Sequence, residues 1–330
     1  MAVIGARGRP RALVLRALGL GDLLTAVPAL RALRHGLPGH WITLATPAWL
    51  APLVQLADAV DDLTPTAGLE AVPAGGPPDL AVNLHGRGPQ SLLALRGTGA
   101  RRILSHRHPD FPGLAGPTWD DDLHEVTRWC RLVEWAGLPT DPSDLRLTAP
   151  GVEPAVAGAV VLHPGAAAPA RRWPADRFAA VGRELARRGH RVVVTGSAAE
   201  RSLGEEVAQA AGLPPAAVLS GALDLTSLAA LVSAASLVLC GDTGVGHLAS
   251  AYGIPSVLLF GPTPPARWGP PPGPHTVLWA GRRGDPHALV VDPGLLAIGV
   301  ADVLSVLDQA ATSGADVRWD RADTSVGCPR

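Results

Sequence analysis

The sequence predicts an α/β protein built from two Rossmann-like domains, and three observations support this class. Short apolar runs alternate with helical patterns up to about residue 137, as in a parallel sheet. A stretch rich in Pro, Gly and Asp at 138–157 interrupts the alternation, which then restarts. Two strands of the second half end in Gly-rich loops. We therefore expect domains at 1–150 and 151–311, facing across a cleft, and a disordered tail at 312–330.

In the first half, each expected strand is an apolar run too short for a helix, and each helix repeats apolar residues at helical spacing. Pro28 lies inside the first helix and is expected to kink it or delay its start. Trp129 and Trp135 fall in an amphipathic pattern and are interpreted as packing residues. The expected strands are 12–16, 41–45, 59–63, 79–84 and 100–104, and the expected helices are 22–35, 47–57, 91–96 and 124–137.

The second half follows the same logic. Pro174 lies where a helix tolerates proline, near its first turn, and Asp224 is a typical helix N-cap. The expected strands are 159–162, 190–195, 237–240, 256–260 and 276–279, and the expected helices are 174–189, 198–211, 224–234, 246–252 and 295–311.

The most informative stretch is the break between the strand at 237–240 and the helix that follows. Asp242, Thr243 and Gly244 stand at the carboxyl end of the strand, where open parallel sheets bind ligands. Free N–H groups and the positive end of a helix dipole favour an anion there, typically a phosphate. The residues alone predict an anion or nucleotide site at Asp242–Gly244. The alternative is that Asp242 only caps the helix.

Composition narrows the class of protein. The 330 residues suffice for two domains, and a net charge of −1 argues against a general nucleic-acid binder. All the Lys and Arg positions are Arg, whose planar guanidinium can form a bidentate contact with phosphate, whereas an ammonium acts as a point charge. Cys130, Cys240 and Cys328 are far apart and odd in number, so they fit neither a disulfide framework nor a metal site. No apolar run has the length of a membrane span, and we expect a cytoplasmic protein.

Four motifs, in order, resemble glycosyltransferase family 9, the family of the heptosyltransferases that build the lipopolysaccharide inner core. The resemblance runs from Arg16 to about Trp268. The motifs are R-x-x-x-x-G-D-x-x-x-x-x-P-A-L at 16–30, H-P-G-x-x-x-x-x-R-x-W-P-x-x-R-F at 163–178, D-T-G-x-x-H-L-A-x-A at 242–251 and F-G-P-T-x-P-x-x-W at 260–268. The resemblance implies the GT-B fold, with a nucleotide-sugar donor held mainly by the C-terminal domain and an acceptor held mainly by the N-terminal one.

The resemblance also implies a mechanism. Asp22 would be the catalytic base that takes the proton of an acceptor hydroxyl, in a single displacement that inverts the sugar. The N–H groups of Thr243 and Gly244, with the charge of Arg172, would stabilise the leaving nucleoside diphosphate, so that neither a metal nor a cofactor is expected. From the residues alone, Asp22 can equally be a cap or first-turn carboxylate of its helix.

Further residues are assigned to the two substrates by the same resemblance, with structural alternatives kept open. His85 can be a polar strand-end residue, His124 a helix-start residue and His247 a capping or packing residue. The family usually has Lys just before the Trp of its second motif, where this chain has Arg172, and the adjacent Arg171 could take its place. The donor-side candidates are His163, Gly165, Arg172, Asp242, Thr243, Gly244, His247, Gly261 and Thr263; the acceptor-side candidates are Gly21, His85, Arg87 and His124.

The substrates implied are an ADP-sugar, with heptose as the leading sugar, and a cell-surface glycan or lipid-linked glycan. Contact with the membrane would then be peripheral, at its inner face, and no nucleic acid is expected. Two features depart from the family: Ala166–Ala168 stand where Ser or Thr is frequent, and Pro264 where Asp is frequent. The alternatives are a nucleotide-sugar epimerase or hydrolase on the same fold, and a catalytically degenerate nucleotide-sugar binder.

Overall fold

The structure, a computed structural model, describes residues 8–66, 68–69 and 72–312. It divides into two compact units, Met1–Thr148 and Ala149–Arg330. Within the predicted tail, residues 313–330 lie outside the described part of the chain.

The first unit is a five-stranded sheet whose strands are all parallel, in the order β3-β2-β1-β4-β5. The central strand of this sheet begins at Arg11 and is buried from its second residue onward. The strands are β1 (Arg11–Leu15), β2 (Trp41–Thr46), β3 (Asp62–Pro65), β4 (Leu80–Asn83) and β5 (Arg102–Leu104). The helices are α1 (Leu20–Gly36), α2 (Ala51–Ala57), α3 (Gln90–Gly97) and α4 (Glu125–Trp135).

The second unit repeats this architecture. Its five parallel strands have the order β10-β9-β8-β6-β7. The strands are β6 (Val160–His163), β7 (Val192–Val194), β8 (Leu237–Gly241), β9 (Ser256–Phe260) and β10 (His275–Trp279). The helices are α5 (Ala175–Arg187), α6 (Arg201–Ala211), α7 (Leu225–Ser233), α8 (Gly244–Tyr252), α9 (Pro265–Trp268), α10 (Pro293–Ala297) and α11 (Val300–Thr312).

Each unit has its own apolar core, because a parallel sheet covered by helices buries both faces of its strands. In the first unit, α1 packs against α4, and the wholly buried Trp129 lies on α4. In the second unit, Trp173 and Phe178 pack edge to face with ring centroids 5.1 Å apart, and the indole N–H of Trp173 donates to the carbonyl of Ile298 at 2.9 Å. The predicted packing role of Trp129 is confirmed, whereas Trp135 is half exposed. The alternation of strands and helices in two units confirms the predicted α/β class.

Several expected element bounds are wrong. Strand β3, expected at 59–63, begins at Asp62, and α2, expected from residue 47, begins at Ala51. Three further helices also differ. Helix α1 starts at Leu20 with Pro28 inside it, so proline does not delay its start. Helix α8 starts at Gly244, two residues earlier than expected, because Thr243 caps it. The expected last helix is two helices, because the Asp302 carboxylate accepts from Gly299 N–H at 2.7 Å and starts a new one.

Candidate active site

The carboxyl ends of neighbouring strands gather the predicted acceptor-side residues of the first unit. Strands β1 and β4 are hydrogen-bonded neighbours, with Leu15 opposite Asn83. The segment after β1 leads to Asp22, and the segment after β4 contains His85 and Arg87. Because both strands run in the same direction, these segments leave the sheet at the same edge.

Asp22 occupies the third position of α1, whose N-cap is Gly19. One carboxylate oxygen, Oδ2, accepts from the backbone N–H of Gly19 at 3.1 Å. The other, Oδ1, lies 3.3 Å from Nη2 of Arg16. The helix-start role given as the alternative for Asp22 is therefore present, yet the side chain keeps 28% of its surface exposed. The carboxylate is oriented from both sides and can still be reached by a hydroxyl.

The guanidinium of Arg16 is fully buried and uses all three of its nitrogens. Nε donates to the carbonyl of Asp22 at 2.8 Å, and Nη1 donates to the carbonyl of Leu84 at 2.5 Å. Nη2 is shared among the Asp22 carboxylate, the Thr25 hydroxyl at 3.3 Å and Glu125 Oε1 at 3.2 Å. Arg16 therefore connects the start of α1 to the start of α4.

Glu125 is buried and receives two further donors from its own helix. Nε of Arg128 lies 3.0 Å from Oε2, and the indole N–H of Trp129 donates to Oε1 at 2.9 Å. Burial alone would raise the pKa of the Glu125 carboxyl, but the charges of Arg16 and Arg128 outweigh burial and hold that pKa below its ordinary value. Glu125 is therefore an anion between two buried cations.

Sequence reasoning missed this network. The amphipathic pattern of α4 predicts a packing face that includes Trp129, and it assigns no role to Glu125 or Arg128. Spacings of three and four residues place Glu125 on the same helical face as Arg128 and Trp129, and that was the available signal. Arg128 also lies over the ring of Trp119, 4.0 Å from its centroid.

His85 is a partly buried neutral imidazole. Its Nδ1 accepts from the backbone N–H of Ala17 at 3.2 Å, which places the proton of the neutral ring on Nε2. Burial, and secondly the charge of Arg16, lower its pKa to about 4. The ring therefore offers a neutral Nε2–H donor at the same edge of the sheet as Asp22.

The other acceptor-side candidates have different environments. Gly21 is the second residue of α1, directly before Asp22. Arg87 is exposed in the loop after β4. His124 is the N-cap of α4, and its Nδ1 accepts from Val126 N–H at 3.3 Å, so the helix-start role given as its alternative is present.

In the second unit, three adjacent strands bring the predicted donor-side residues to one edge. His163 at the end of β6 is opposite Cys240, and Gly241 at the end of β8 is opposite Leu259. The loops after β6, β8 and β9 therefore leave the sheet side by side. Cys240 itself is buried, and burial raises its pKa to about 12, which fits the predicted role of a small apolar residue.

His163 and Gly165 lie beside a carboxylate that the sequence did not indicate. Nδ1 of His163 is 3.0 Å from the hydroxyl of Thr195. Burial lowers the pKa of His163, and the charge of Glu200 opposes that shift. A Cβ atom at Gly165 would overlap the Glu200 carboxylate, so a larger residue there would displace that carboxylate from Ser197. Ser197 N–H and Oγ donate to Glu200 Oε2 at 2.9 and 2.8 Å, which leaves Oε1 as an acceptor for a ligand hydroxyl.

The two arginines before Trp173 have different environments. Nε of Arg172 donates to the carbonyl of Ala166 at 2.9 Å and so holds the loop that follows His163. Nη1 of Arg171 lies 3.8 Å from Asp242 Oδ2 and 3.4 Å from the Asp242 carbonyl, while its Nε is buried without a hydrogen-bond partner. The geometry therefore places the charge of Arg171, rather than that of Arg172, at the end of β8.

The start of α8 has the arrangement of an anion site. Thr243, and not Asp242, is the N-cap, since its Oγ1 accepts from Val245 N–H at 3.3 Å. The carbonyl of Thr243 accepts from Gly246 N–H at 3.1 Å. The N–H groups of Thr243 and Gly244 are then the ones that can donate to a ligand. Asp242, directly before this N-cap, is buried.

His247 lies one turn into α8 and packs edge to face with Trp268, with ring centroids 5.8 Å apart. Both rings line a small pocket together with Asp242 and Thr243. The packing role given as the alternative for His247 is therefore present, and the ring also borders the space at the helix start.

The loop after β9 is tied to the loop after β6 by one segment, residues 284–292, which we call the crossing segment. Gly284 N–H donates to the carbonyl of Pro262 at 3.0 Å, in the loop that contains Gly261 and the buried Thr263. The N–H of Ala170 donates to the carbonyl of Ala288, and Asp292 N–H donates to the carbonyl of Ala170, both at 3.2 Å. The two strand-end loops therefore share one support.

Among the described residues, no group of three or more His, Cys, Asp or Glu side chains is placed to hold a metal ion. Within the same part of the chain, no helix is long and apolar enough to cross a membrane.

A family model described as glycosyltransferase family 9 (heptosyltransferase) matches residues 119–289. Lipopolysaccharide heptosyltransferase 2 of Escherichia coli K12 is 23% identical over 286 residues, which are 74% of this chain and 81% of that protein.

Solved structures agree in fold. A glycosyl transferase family 9 structure from Veillonella parvula has a TM-score of 0.76 at 23% identity, over 91% of this chain and 97% of that one. The E. coli ADP-heptose lps heptosyltransferase II has a TM-score of 0.72 at 22% identity, over 91% and 98%. The iron-containing heptosyltransferase TibC in complex with ADP-D-beta-D-heptose has a TM-score of 0.62 at 17% identity, over 92% and 76%. These likenesses confirm the predicted GT-B fold class.

Proposed function

This chain belongs to glycosyltransferase family 9, the heptosyltransferase family, and we propose that it transfers a heptose from ADP-heptose to a hydroxyl group of a glycan acceptor. The observation that carries the proposal is the family match over residues 119–289, which contains the start of α8 with Asp242, Thr243 and His247. Similar proteins described as heptosyltransferases, one of them in complex with an ADP-heptose, support this donor.

We propose that the second unit binds the donor diphosphate at the start of α8. The N–H groups of Thr243 and Gly244 would donate to a phosphate oxygen, and the positive end of the helix dipole adds to the attraction. Arg171 is the cation beside this helix start, so we assign it the charge-assisted contact with the diphosphate. Arg172 would act on the loop that contains Ala166. The free Oε1 of Glu200 can accept from a hydroxyl of the donor.

We propose Asp22 as the general base. The acceptor O–H bond breaks as its proton passes to the carboxylate, while the acceptor oxygen forms a bond to the anomeric carbon. The bond from that carbon to the diphosphate oxygen breaks on the opposite side, and the electron pair leaves with ADP. One displacement of this kind inverts the configuration. The exposed fraction of Asp22 and its two fixed partners support this role.

Stabilising the leaving ADP requires positive charge, which Arg171 and the α8 start can supply without a divalent cation. We therefore propose a metal-independent reaction. We also propose that the first unit binds the acceptor, a cell-surface or lipid-linked glycan, near His85 and Arg87. The enzyme would then work in the cytoplasm, with at most a peripheral membrane contact.

The test is Asp22→Asn, assayed for heptose transfer with EDTA present and, by calorimetry, for ADP binding. We expect transfer to fall by about 10²–10⁴-fold, the usual contribution of a general base, while ADP binding stays unchanged. The unaltered enzyme should keep its full rate in EDTA. Transfer that survives in D22N would refute the assigned base, and a rate lost in EDTA would refute metal independence.

The same assay separates the rivals. An epimerase or hydrolase would convert the donor without any acceptor, and a degenerate binder would bind ADP without turnover in either variant.

A further inference from the structure

Two carboxylates share one guanidinium nitrogen beside the proposed base. Asp22 Oδ1 lies 3.3 Å from Nη2 of Arg16, and Glu125 Oε1 lies 3.2 Å from the same atom. We propose that Glu125 is a positioning residue that sets, through Arg16, how readily Asp22 takes up a proton. The inference rests on the proposed role of Asp22 as general base.

The shared cation can neither move nor lose its charge. A guanidinium stays protonated in proteins, and Arg16 has no exposed side-chain surface. Its Nε and Nη1 are held by the carbonyls of Asp22 and Leu84, so Nη2 is fixed between the two carboxylates. The ring of Trp129 lies 4.7 Å below the guanidinium carbon and supports it from one face.

Glu125 is held as firmly as Arg16. Arg128 and the Trp129 indole both donate to it, and the Arg128 guanidinium rests on Trp119. Its negative charge therefore stays next to Arg16 and cancels part of the positive potential at Asp22. A carboxylate that faced Arg16 alone would hold a proton less readily and would be a weaker base.

The other titratable or charged groups around Arg16 and Glu125 include a buried histidine and an exposed arginine. His106, after β5, packs against the rings of Trp119 and Trp129 and has a pKa of about 4, which burial and secondly Arg128 lower and Glu125 raises. Arg87, in the loop after β4, is exposed. His85, after β4, is neutral with a pKa of about 4 and accepts from Ala17. His124, at the start of α4, accepts from Val126. Arg128 is separated from Arg16 by Glu125, which both arginines contact. Glu125 is therefore the only negative charge besides Asp22 that contacts Arg16 among the described ion pairs.

The experiment compares Glu125→Gln with Thr25→Val in the full-length protein. The first change removes the charge and keeps an oxygen acceptor; the second removes a neutral partner of the same Nη2. Carboxyl ¹³C NMR of Asp-labelled protein would follow the Asp22 resonance, assigned by its loss in D22N, from pH 7 to pH 3. The pH dependence of kcat/KM would be measured alongside.

In E125Q, we expect the Asp22 carboxylate to take up its proton about one pH unit lower than in the unaltered protein. This follows from the loss of one unit charge that contacts the same Nη2 as Asp22, in a medium of intermediate dielectric constant. The rate above the acid limb should fall about three- to tenfold, since a weaker base transfers protons more slowly. In T25V, the Asp22 titration should stay where it is in the unaltered protein. In Glu125→Asp, which keeps the negative charge, the Asp22 titration should lie close to that of the unaltered protein.

An Asp22 titration that is unchanged in E125Q would overturn the inference while leaving the proposed base intact. If Asp22 titrates as expected but D22N still transfers heptose, the assigned base is wrong and Glu125 cannot act through it. A merely structural role of Glu125 would lower the yield of folded enzyme without shifting the titration. If E125Q does not fold, E125D is measured instead. Its shorter side chain moves the negative charge away from Arg16, so the Asp22 titration should shift in the same direction by a smaller amount.

Discussion

Replacing Arg171 with alanine tests the donor site, and Arg172→Ala is its matched control. The two residues are neighbours in sequence with the same charge. Arg171 lies beside Asp242 and the α8 start, whereas Arg172 holds the Ala166 carbonyl. Net charge changes equally in both variants, so any difference in ADP affinity reflects position.

The magnitude follows from the contact that each arginine would lose. A charge-assisted hydrogen bond to phosphate is worth about 1.5–3 kcal/mol, and we take the lower part of this range because Arg171 is 22% exposed. About 1.5–2.5 kcal/mol corresponds to a loss of roughly 10- to 70-fold in ADP affinity. Arg172→Ala removes one partly buried hydrogen bond to a carbonyl, about 0.5–1 kcal/mol, or roughly two- to fivefold.

The assay is calorimetric binding of ADP and of adenosine at two salt concentrations. Arg171→Ala should weaken ADP binding, leave adenosine binding unchanged and flatten the salt dependence, because the lost partner is a charge. The ADP affinity of Arg171→Lys should be intermediate, since lysine keeps the positive charge but cannot form a bidentate contact with phosphate. A loss of more than tenfold in Arg172→Ala with less than twofold in Arg171→Ala would reverse the assignment and refute the reasoning.

Two further predictions concern stability. Gly165→Ala should lower the free energy of unfolding by about 0.5–1.5 kcal/mol, because its methyl group would displace the Glu200 carboxylate from Ser197. In a Glu200→Ala background the same change should cost almost nothing, as thermal denaturation can show. The pKa of His106 is lowered to about 4 by burial and secondly by the charge of Arg128. Between pH 6.5 and 4 the folded state therefore binds fewer protons than the unfolded state. The free energy of unfolding falls as the pH falls through this window. His106→Phe should remove about 2–3 kcal/mol of that pH-dependent loss of stability. The check is thermal unfolding at pH 7 and at pH 4.5. A drop in stability between the two pH values that is as large in the variant as in the unaltered protein would contradict this account.

The order of elements could be predicted because each strand is an apolar run and each helix has its own period. Several of the wrong helix bounds were decided by single side chains at helix ends. Asp242 and Thr243 are both good capping residues, and only the path of the chain after β8 determines that Thr243 caps α8. Likewise, α11 begins after Gly299 because the carboxylate of Asp302, in the first turn, accepts from Gly299 N–H.

The positions of candidate residues could be predicted where a motif lies at or shortly after a strand end, as at Asp22, His163 and Asp242. Two parts of the site could not. Glu200 reaches Gly165 from a different loop, so no local spacing connects them. The link from Arg16 to Glu125 spans 109 residues and depends on α4 lying against α1, which a single sequence does not reveal.

The crossing segment has a practical consequence. It is bonded to the loops on either side of the α8 start, yet Leu289 within it has 86% of its surface exposed. The two cysteines in the described part of the chain, Cys130 and Cys240, are buried, and burial raises the pKa of both thiols, to about 11 and about 12. With Cys328 replaced, a single thiol introduced by Leu289→Cys could therefore be labelled selectively. A fluorophore there would report loop movement on donor binding from outside the loops that hold the donor.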